Sequence, residues 1–290
     1  MNANTSLYSQ TLLRTARILA PIAIALFALP PVKATPIQSS ARPFGLEIAG
    51  VVEEADSDAS SSVFFADVLP DFQQWANENL SEAKRVDDSR FPLDASKLLM
   101  SQPVDNLRIY FIGEGAGYHN SLGINLSGKG LSTGNPLLVF PDASVSPSGK
   151  RKQNFPLQPG DFVDVGDVEK GAFLNFFLIA NGANGGSRIW SMDNDSNSDG
   201  INHVVSYSFE ESPYLLIGFE DLPGGGDRDF NDLVFAVDAG VENTSSMLKA
   251  NVADFAVPDK GSTLTLLGIA LFAVIGIGYA RVWHETVERA

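Results

Sequence analysis

The chain has 290 residues, a net charge of −15 and no cysteine. That charge excludes nucleic acid and anionic lipid headgroups as electrostatic partners, and the absence of thiols excludes cysteine nucleophiles and disulfide staples. With three histidines in the whole sequence, an imidazole-built zinc or copper site and a serine–histidine–aspartate triad are both poorly supplied.

Arg14 and Arg17 precede an apolar run over 18–29, and Val32 and Ala34 stand where a signal peptidase inspects its substrate. The run is short and contains Pro21, so 1–34 reads as a signal peptide rather than an anchor. The N-terminal segment 35–105 holds a short apolar piece at 44–52, then an acidic, serine-rich stretch at 53–62 that reads as a flexible linker. An amphipathic helix is expected over 71–85, where Phe72, Trp75, Ala76, Leu80 and Ala83 recur at helical spacing. Asp71 is its expected N-cap, and Lys84 with Arg85 suits the C-terminal end of the dipole.

Over 106–240 the pattern changes to short apolar runs separated by Gly, Pro and Asn. Strands are expected at 107–112, 121–126, 136–140, 162–165, 174–180, 204–209, 214–219 and 233–237. This spacing predicts a mainly β chain folded as an antiparallel β-sandwich or jelly-roll. The stretch 173–179 is apolar on both faces and is expected at the centre of a sheet. No repeat of fixed period is present, which argues against a solenoid or propeller.

Between the last two strands lies GFEDLPGGGDRDFNDLVFAV, residues 218–237. Glu220, Asp221, Asp227, Asp229 and Asp232 repel one another there, with Asn231 among them and Arg228 as the sole base of the loop. A divalent cation removes that repulsion, and oxygen-only ligands suit calcium. Asp227, Asp229 and Asn231 alternate as in calcium loops, Asp232 with Glu220 or Asp221 could complete the shell, and Gly224 to Gly226 let the backbone fold tightly. The competing reading is a polar hairpin whose Asx side chains cap backbone amides, but one or two such residues suffice for a turn.

A second acidic loop runs from Asp193 to Gly200. Read from Asp195, it has the D-x-N-x-D-G start of an EF-hand loop (Asp195, Asn197, Asp199), but Ser206 stands where the bidentate glutamate belongs. An ordinary solvated Asn/Asp/Ser/Gly loop is the equal alternative, and His203 reads as a packing residue. Glu114 lies among glycines at a strand end, either a further ligand of the first loop or an exposed turn residue. A glycosidase needs two carboxyl groups about 5 to 9 Å apart, and Glu114 with Glu220 or Asp221 is the available pair. Acids crowded into glycine-rich turns without an aromatic platform favour metal over hydrolysis. Exposure of Trp190, beside the second loop, would favour glycan binding; burial would favour a structural role.

The pieces FIGEGAGYHNSLGINL (111–126), VFPDAS (139–144), LQPGDFVDVG (157–166), LNFFLIANGANGG (174–186), NSDGINHVV (197–205) and the acidic loop resemble, in order, the domain-of-unknown-function 4114 family of bacterial secreted and surface proteins. After a linker within 241–261, VPDKGSTL (257–264) leads into an apolar segment at 262–281, uncharged up to Ala280 and long enough to span a bilayer, and a short tail at 282–290. This end resembles a PEP-CTERM sorting signal of the VPDSG type, with Lys260 in place of serine and no compact arginine cluster after Arg281. The resemblance implies an exosortase-type processing partner, transient anchoring by the C-terminal helix, and delivery to the cell surface or the extracellular matrix. The expected function is a calcium-binding adhesion, glycan-binding or matrix module that contacts extracellular polysaccharide or a surface protein. The alternatives are a structural exopolysaccharide-matrix component and, less favoured, a carboxylate-dependent hydrolase.

Overall fold

The computed structural model describes residues 37–255. The expected signal peptide at 1–34, the VPDKGSTL motif, the apolar segment at 262–281 and the tail at 282–290 lie outside the described residues. Among the described residues no helix is long and apolar enough to cross a membrane.

Ten strands form two antiparallel sheets. The larger contains β1 (Val52–Glu53), β2 (Val104–Gly113), β5 (Phe162–Val168), β8 (Val204–Tyr207), β9 (Tyr214–Phe219) and β10 (Leu233–Asp238), in the order β1-β5-β2-β10-β9-β8. The smaller contains β3 (Ser121–Asn125), β4 (Leu137–Phe140), β6 (Asn175–Ala180) and β7 (Arg188–Ser191), in the order β4-β3-β6-β7. The period-2 alternation of strand side chains sorts the core. Leu107, Ile109 and Phe111 of β2, Leu215, Ile217 and Phe219 of β9, and Leu233, Phe235 and Val237 of β10 meet Leu122, Phe140, Phe176 and Leu178 of the smaller sheet. The two sheets therefore pack face to face as a β-sandwich.

The alternate residues of the central strands are buried as well. Tyr110, Ile112, Val234, Ala236 and Leu216 form a second core under the helical layer, with Phe64, Leu69 and Phe72. Phe177 and Ile179 of β6 enter a third cluster with Leu138, covered by Leu46, Ile48 and Leu131. That is why 173–179 reads as apolar on both faces, although Phe173 itself remains 44% exposed.

The helical layer begins inside the stretch expected to be a linker. Asp58 accepts from Ser61 N at 2.7 Å while Ser61 Oγ accepts from Asp58 N at 2.9 Å, a reciprocal capping box that starts α1 (Ala59–Val63). Arg108 of β2 holds the same Asp58 at 3.0 Å and grips Asp164 of β5 at 2.6 and 2.8 Å. A π turn, Phe64–Val68, leads into α2 (Leu69–Asn79), with Pro70 in its first turn. Phe64 stacks on Tyr110 with ring centroids 3.7 Å apart.

Relative to the expectation over 71–85, α2 starts earlier and stops at Asn79. Asp71 lies in the first turn rather than at the cap, and Lys84 and Arg85 fall beyond the end. The chain leaves the helix because tertiary bonds compete for it: Ala83 N donates to Asp229 at 2.8 Å and Val86 N to Arg228 O at 2.8 Å. Part of 241–261, expected as linker, is helix α3 (Val241–Phe255). It docks through polar groups that hydropathy does not register: the Asn243 side chain accepts from Ser101 N and Gln102 N at 2.7 and 2.8 Å and donates to Ala239 O at 2.8 Å.

Phe235 is fully buried between the sheets, whereas Val63 is 55% exposed. Phe235→Ala should lower the unfolding free energy by about 3–5 kcal/mol in urea titrations, and Val63→Ala should change it by less than about 0.5 kcal/mol.

Candidate functional site

The geometry of the acidic loop follows from strand register. In the β9–β10 ladder Phe219 faces Leu233, and in the β8–β9 ladder it faces Val204. One step further out, Glu220 must face Asp232 on one side and His203 on the other. Two like charges directly across a ladder are unfavourable, and here Glu220 is also buried while Asp232 is half-buried. Glu220 and Asp221 are 1% and 3% exposed.

The surroundings fix the backbone of these acids. Glu220 N donates to His203 O at 2.9 Å, and Asp221 N donates to Asp232 Oδ2 at 2.8 Å. Trp190 is fully buried, and its Nε1 donates to Asp221 O at 2.6 Å. The indole stacks on His203, with centroids 3.7 Å apart and planes 7° from parallel. His203 places Nδ1 3.0 Å from Glu220 O and Nε2 3.0 Å from Asp199 Oδ2. Asn120 Nδ2 donates to Asp221 Oδ2 at 2.7 Å.

The Glu220 carboxylate is left incompletely satisfied, because its Oε2 is buried without a hydrogen-bond partner. The group presses against Gly226, where a Cβ would collide with Glu220 Oε1. Glycine is required there for this contact as well as for its φ of +46°. Burial pushes Glu220 up to about 7 and Asp232 up to about 9, the neighbouring carboxylates adding to both, and it raises Asp221 in the same direction.

The other acids of the loop gather in a second group. Arg228 and Phe230 have φ of +61° and +56°, left-handed values rare for side-chain-bearing residues. Phe230, fully buried, plugs the core beneath α2 and turns Asp229 inward. Asp229 accepts from Ala83 N at 2.8 Å and Asn231 N at 3.2 Å, yet burial still raises its pKa. One carboxylate oxygen from each of Glu82, Asp227 and Asp229 lies within 4.8 Å of the others. Asn231 turns its amide nitrogen toward this group, at 3.1 Å from Asp229 Oδ2 and 3.3 Å from Glu82 Oε2.

The first loop thus divides into Glu220, Asp221 and Asp232 with Asn120, and Asp227 and Asp229 with Glu82. Asp227 couples the two, its charge raising both Glu220 and Asp229. The carboxylates offer oxygen donors only, the set suited to a hard cation such as calcium, whereas Asn231, expected as a further ligand, presents its nitrogen because it donates to Asp229 and Glu82. Glu82 has no signal in its local sequence: it follows a helix end, and only the fold brings it to the loop.

The second loop does not gather Asp195, Asn197 and Asp199 around one point. Asn197 is committed to Ser191 N, Ser191 O and Ile201 O at 2.6, 3.1 and 2.9 Å. Asp199 bridges to the first loop through His203 and Gly224 N, the latter at 2.8 Å. Asp195 is exposed. Glu114 accepts from Val145 N at 3.0 Å, His119 and Asp142 act on its charge, and it lines one cavity with Glu82 and Asn231. Burial lifts it to about 7.

A carboxyl group with a raised pKa binds its proton longer in the folded than in the unfolded state, so its stabilising contribution is present at low pH and is lost as pH rises. The metal-free protein should therefore lose stability from about pH 4.5 up to about pH 9, the window set by Glu220 and Asp232. Melting curves in EGTA at successive pH values measure that slope, and a midpoint that rises across the window would contradict it.

Both acidic loops fall within residues 168–240, which match the family model described as Domain of unknown function (DUF4114). The match takes in β6 to β10 and is shorter than the stretch over which the sequence resemblance was read. No curated protein and no solved structure matches the chain. Residues 256–277 match the model of the VPDSG-CTERM motif, so the chain carries a stretch similar to the DUF4114 family followed by one that matches a C-terminal sorting motif of the VPDSG type.

Proposed function

We propose that this protein is an exported, calcium-binding β-sandwich module that serves adhesion, glycan binding or matrix assembly rather than catalysis. The sorting motif points to secretion or the cell surface and implies processing by an exosortase-type enzyme. Extracellular calcium is abundant there, and a chain without cysteine has metal as its remaining means of cross-linking loops.

The observation that carries the calcium reading is Glu220: a buried carboxylate with an oxygen lacking any partner, beside Asp221, Asp227 and Asp232. A divalent ion among these oxygens would offset both desolvation and mutual repulsion. Buried Trp190 favours a structural role for this loop over an aromatic sugar platform at that residue. A hydrolase pairing Glu114 with Glu220 or Asp221 is less favoured, since the cavity that Glu114 lines is shared with Glu82 and with neither of those acids.

With calcium at about a thousand times its Kd, ligand linkage should raise the melting midpoint by roughly 10 °C over EGTA. Asp227→Asn, at an exposed position, should raise the EGTA midpoint slightly, because it removes a charge that repels Glu220 and Asp229, and should remove most of the calcium-induced rise. Superimposable curves in calcium and EGTA, with no heat on calcium titration, would refute the reading.

A further inference from the structure

Alongside the acidic loop runs an open groove of about 590 Å³, and its walls carry a different chemistry. Tyr118 stands at its edge, 41% exposed. Arg188 of β7 and Ser187 line one wall, Ser198 of the second loop the other, and Asn181 with Asp221 the floor. Arg188 is exposed, and among the described residues its side chain has neither an acidic partner nor a hydrogen bond; its guanidinium lies 5.7 Å from the Trp190 ring centroid. In a chain of net charge −15, an arginine without a carboxylate beside it is available to an anion from outside.

The nearest acids are partly accounted for. Lys129 pairs with Asp193 at 2.9 Å, and Asp199 is bonded to His203 and Gly224 N. The floor is rigid: Asn120 donates to Asp221 at 2.7 Å and accepts from Asn181 N at 2.9 Å, while Asn181 Oδ1 accepts from His119 N at 3.1 Å. That last bond fixes the backbone next to Tyr118, so the ring is presented from an ordered turn.

We propose that this groove binds an acidic saccharide, with the sugar carboxylate on Arg188 and the C–H face of a ring against Tyr118. A uronic-acid unit carries the three features the groove asks for. It has a planar anion for a guanidinium fork, an apolar face for an aromatic ring, and hydroxyls that both donate to Asp221 and exchange hydrogen bonds with Ser187, Ser198 and Asn181. A peptide carboxylate supplies the anion without the run of hydroxyl donors. The inference rests on the exported-module reading for access to polysaccharide, and it does not require the ion.

Titration calorimetry of the purified protein with cellobiouronate and with cellobiose, each in calcium and in EGTA, tests it. Cellobiouronate should bind at least about tenfold more tightly than cellobiose, and Arg188→Ala should abolish that preference while Arg188→Lys keeps part of it. Tyr118→Ala should weaken both sugars by about fivefold or more. Neither exposed substitution should shift the melting midpoint, which separates lost binding from lost folding. Equal affinity for the two sugars, an unaffected Arg188→Ala variant, or no heat from either sugar would overturn the proposal. A calcium titration in the same preparation separates the two readings. Silence there with Arg188-dependent uronate binding leaves the groove standing and removes the ion, and calcium heat without uronate binding does the reverse.

Discussion

The arrangement rests on one constraint: the β9–β10 hairpin places Glu220 opposite Asp232 at the buried end of a ladder whose next pair is Phe219 and Leu233. A sandwich end of this kind would ordinarily close with apolar or hydroxyl side chains. Here Trp190, His203 and Asn120 are all committed to supporting the acids instead. Desolvation and mutual repulsion both favour the neutral form, so either protons or a cation would stabilise the fold at this site. At neutral pH, protonation costs free energy for groups whose unperturbed pKa lies near 4, even though burial raises Glu220 to about 7 and Asp232 to about 9. A divalent ion supplies the same neutralisation without that cost.

The constraint extends into the helical layer. Phe230 inserts beneath α2, Arg228 O holds Val86 N, and Asp229 holds Ala83 N, so the loop is fastened to the segment that follows the helix. These bonds span more than a hundred residues of sequence, and they bring Glu82 beside Asp227 and Asp229. Residues held at left-handed φ, such as Arg228 and Phe230, cost about 1–3 kcal/mol each unless their surroundings enforce them. Burial of Phe230 provides that enforcement, since withdrawing the ring from the core would cost more than the strain.

The sequence revealed the elements whose stabilisation is apolar and periodic. β9 occupies the residues expected, and the two-faced character of the 173–179 run marks the centre of the smaller sheet. Elements stabilised by polar bonds were not visible. α1 depends on a capping box and an arginine from β2, and α3 docks through Asn243. β7 is four residues long with Trp190 as its main apolar anchor, too little to show periodicity. The acids of the first loop were legible by density alone, but their division into two groups was not. Asn120 and Glu82 reach the loop only through tertiary structure, and the EF-hand-like spacing at Asp195 is used otherwise, with Asn197 serving β7 and Asp199 serving His203.

Asn120 gives the two proposals a physical connection. Its amide nitrogen serves Asp221, and its amide oxygen serves the backbone of Asn181 in the groove floor. If an ion draws the Asp221 carboxylate to itself, Asn120 must either follow or release that bond, and the floor beneath Tyr118 responds. By linkage the effect is reciprocal: if the ion leaves both Asn120 bonds in place the two ligands favour each other, and if it breaks one they oppose each other to the same degree. A single side chain bonded at both ends is a short route for such coupling, and it needs no conformational change larger than the loss of one hydrogen bond.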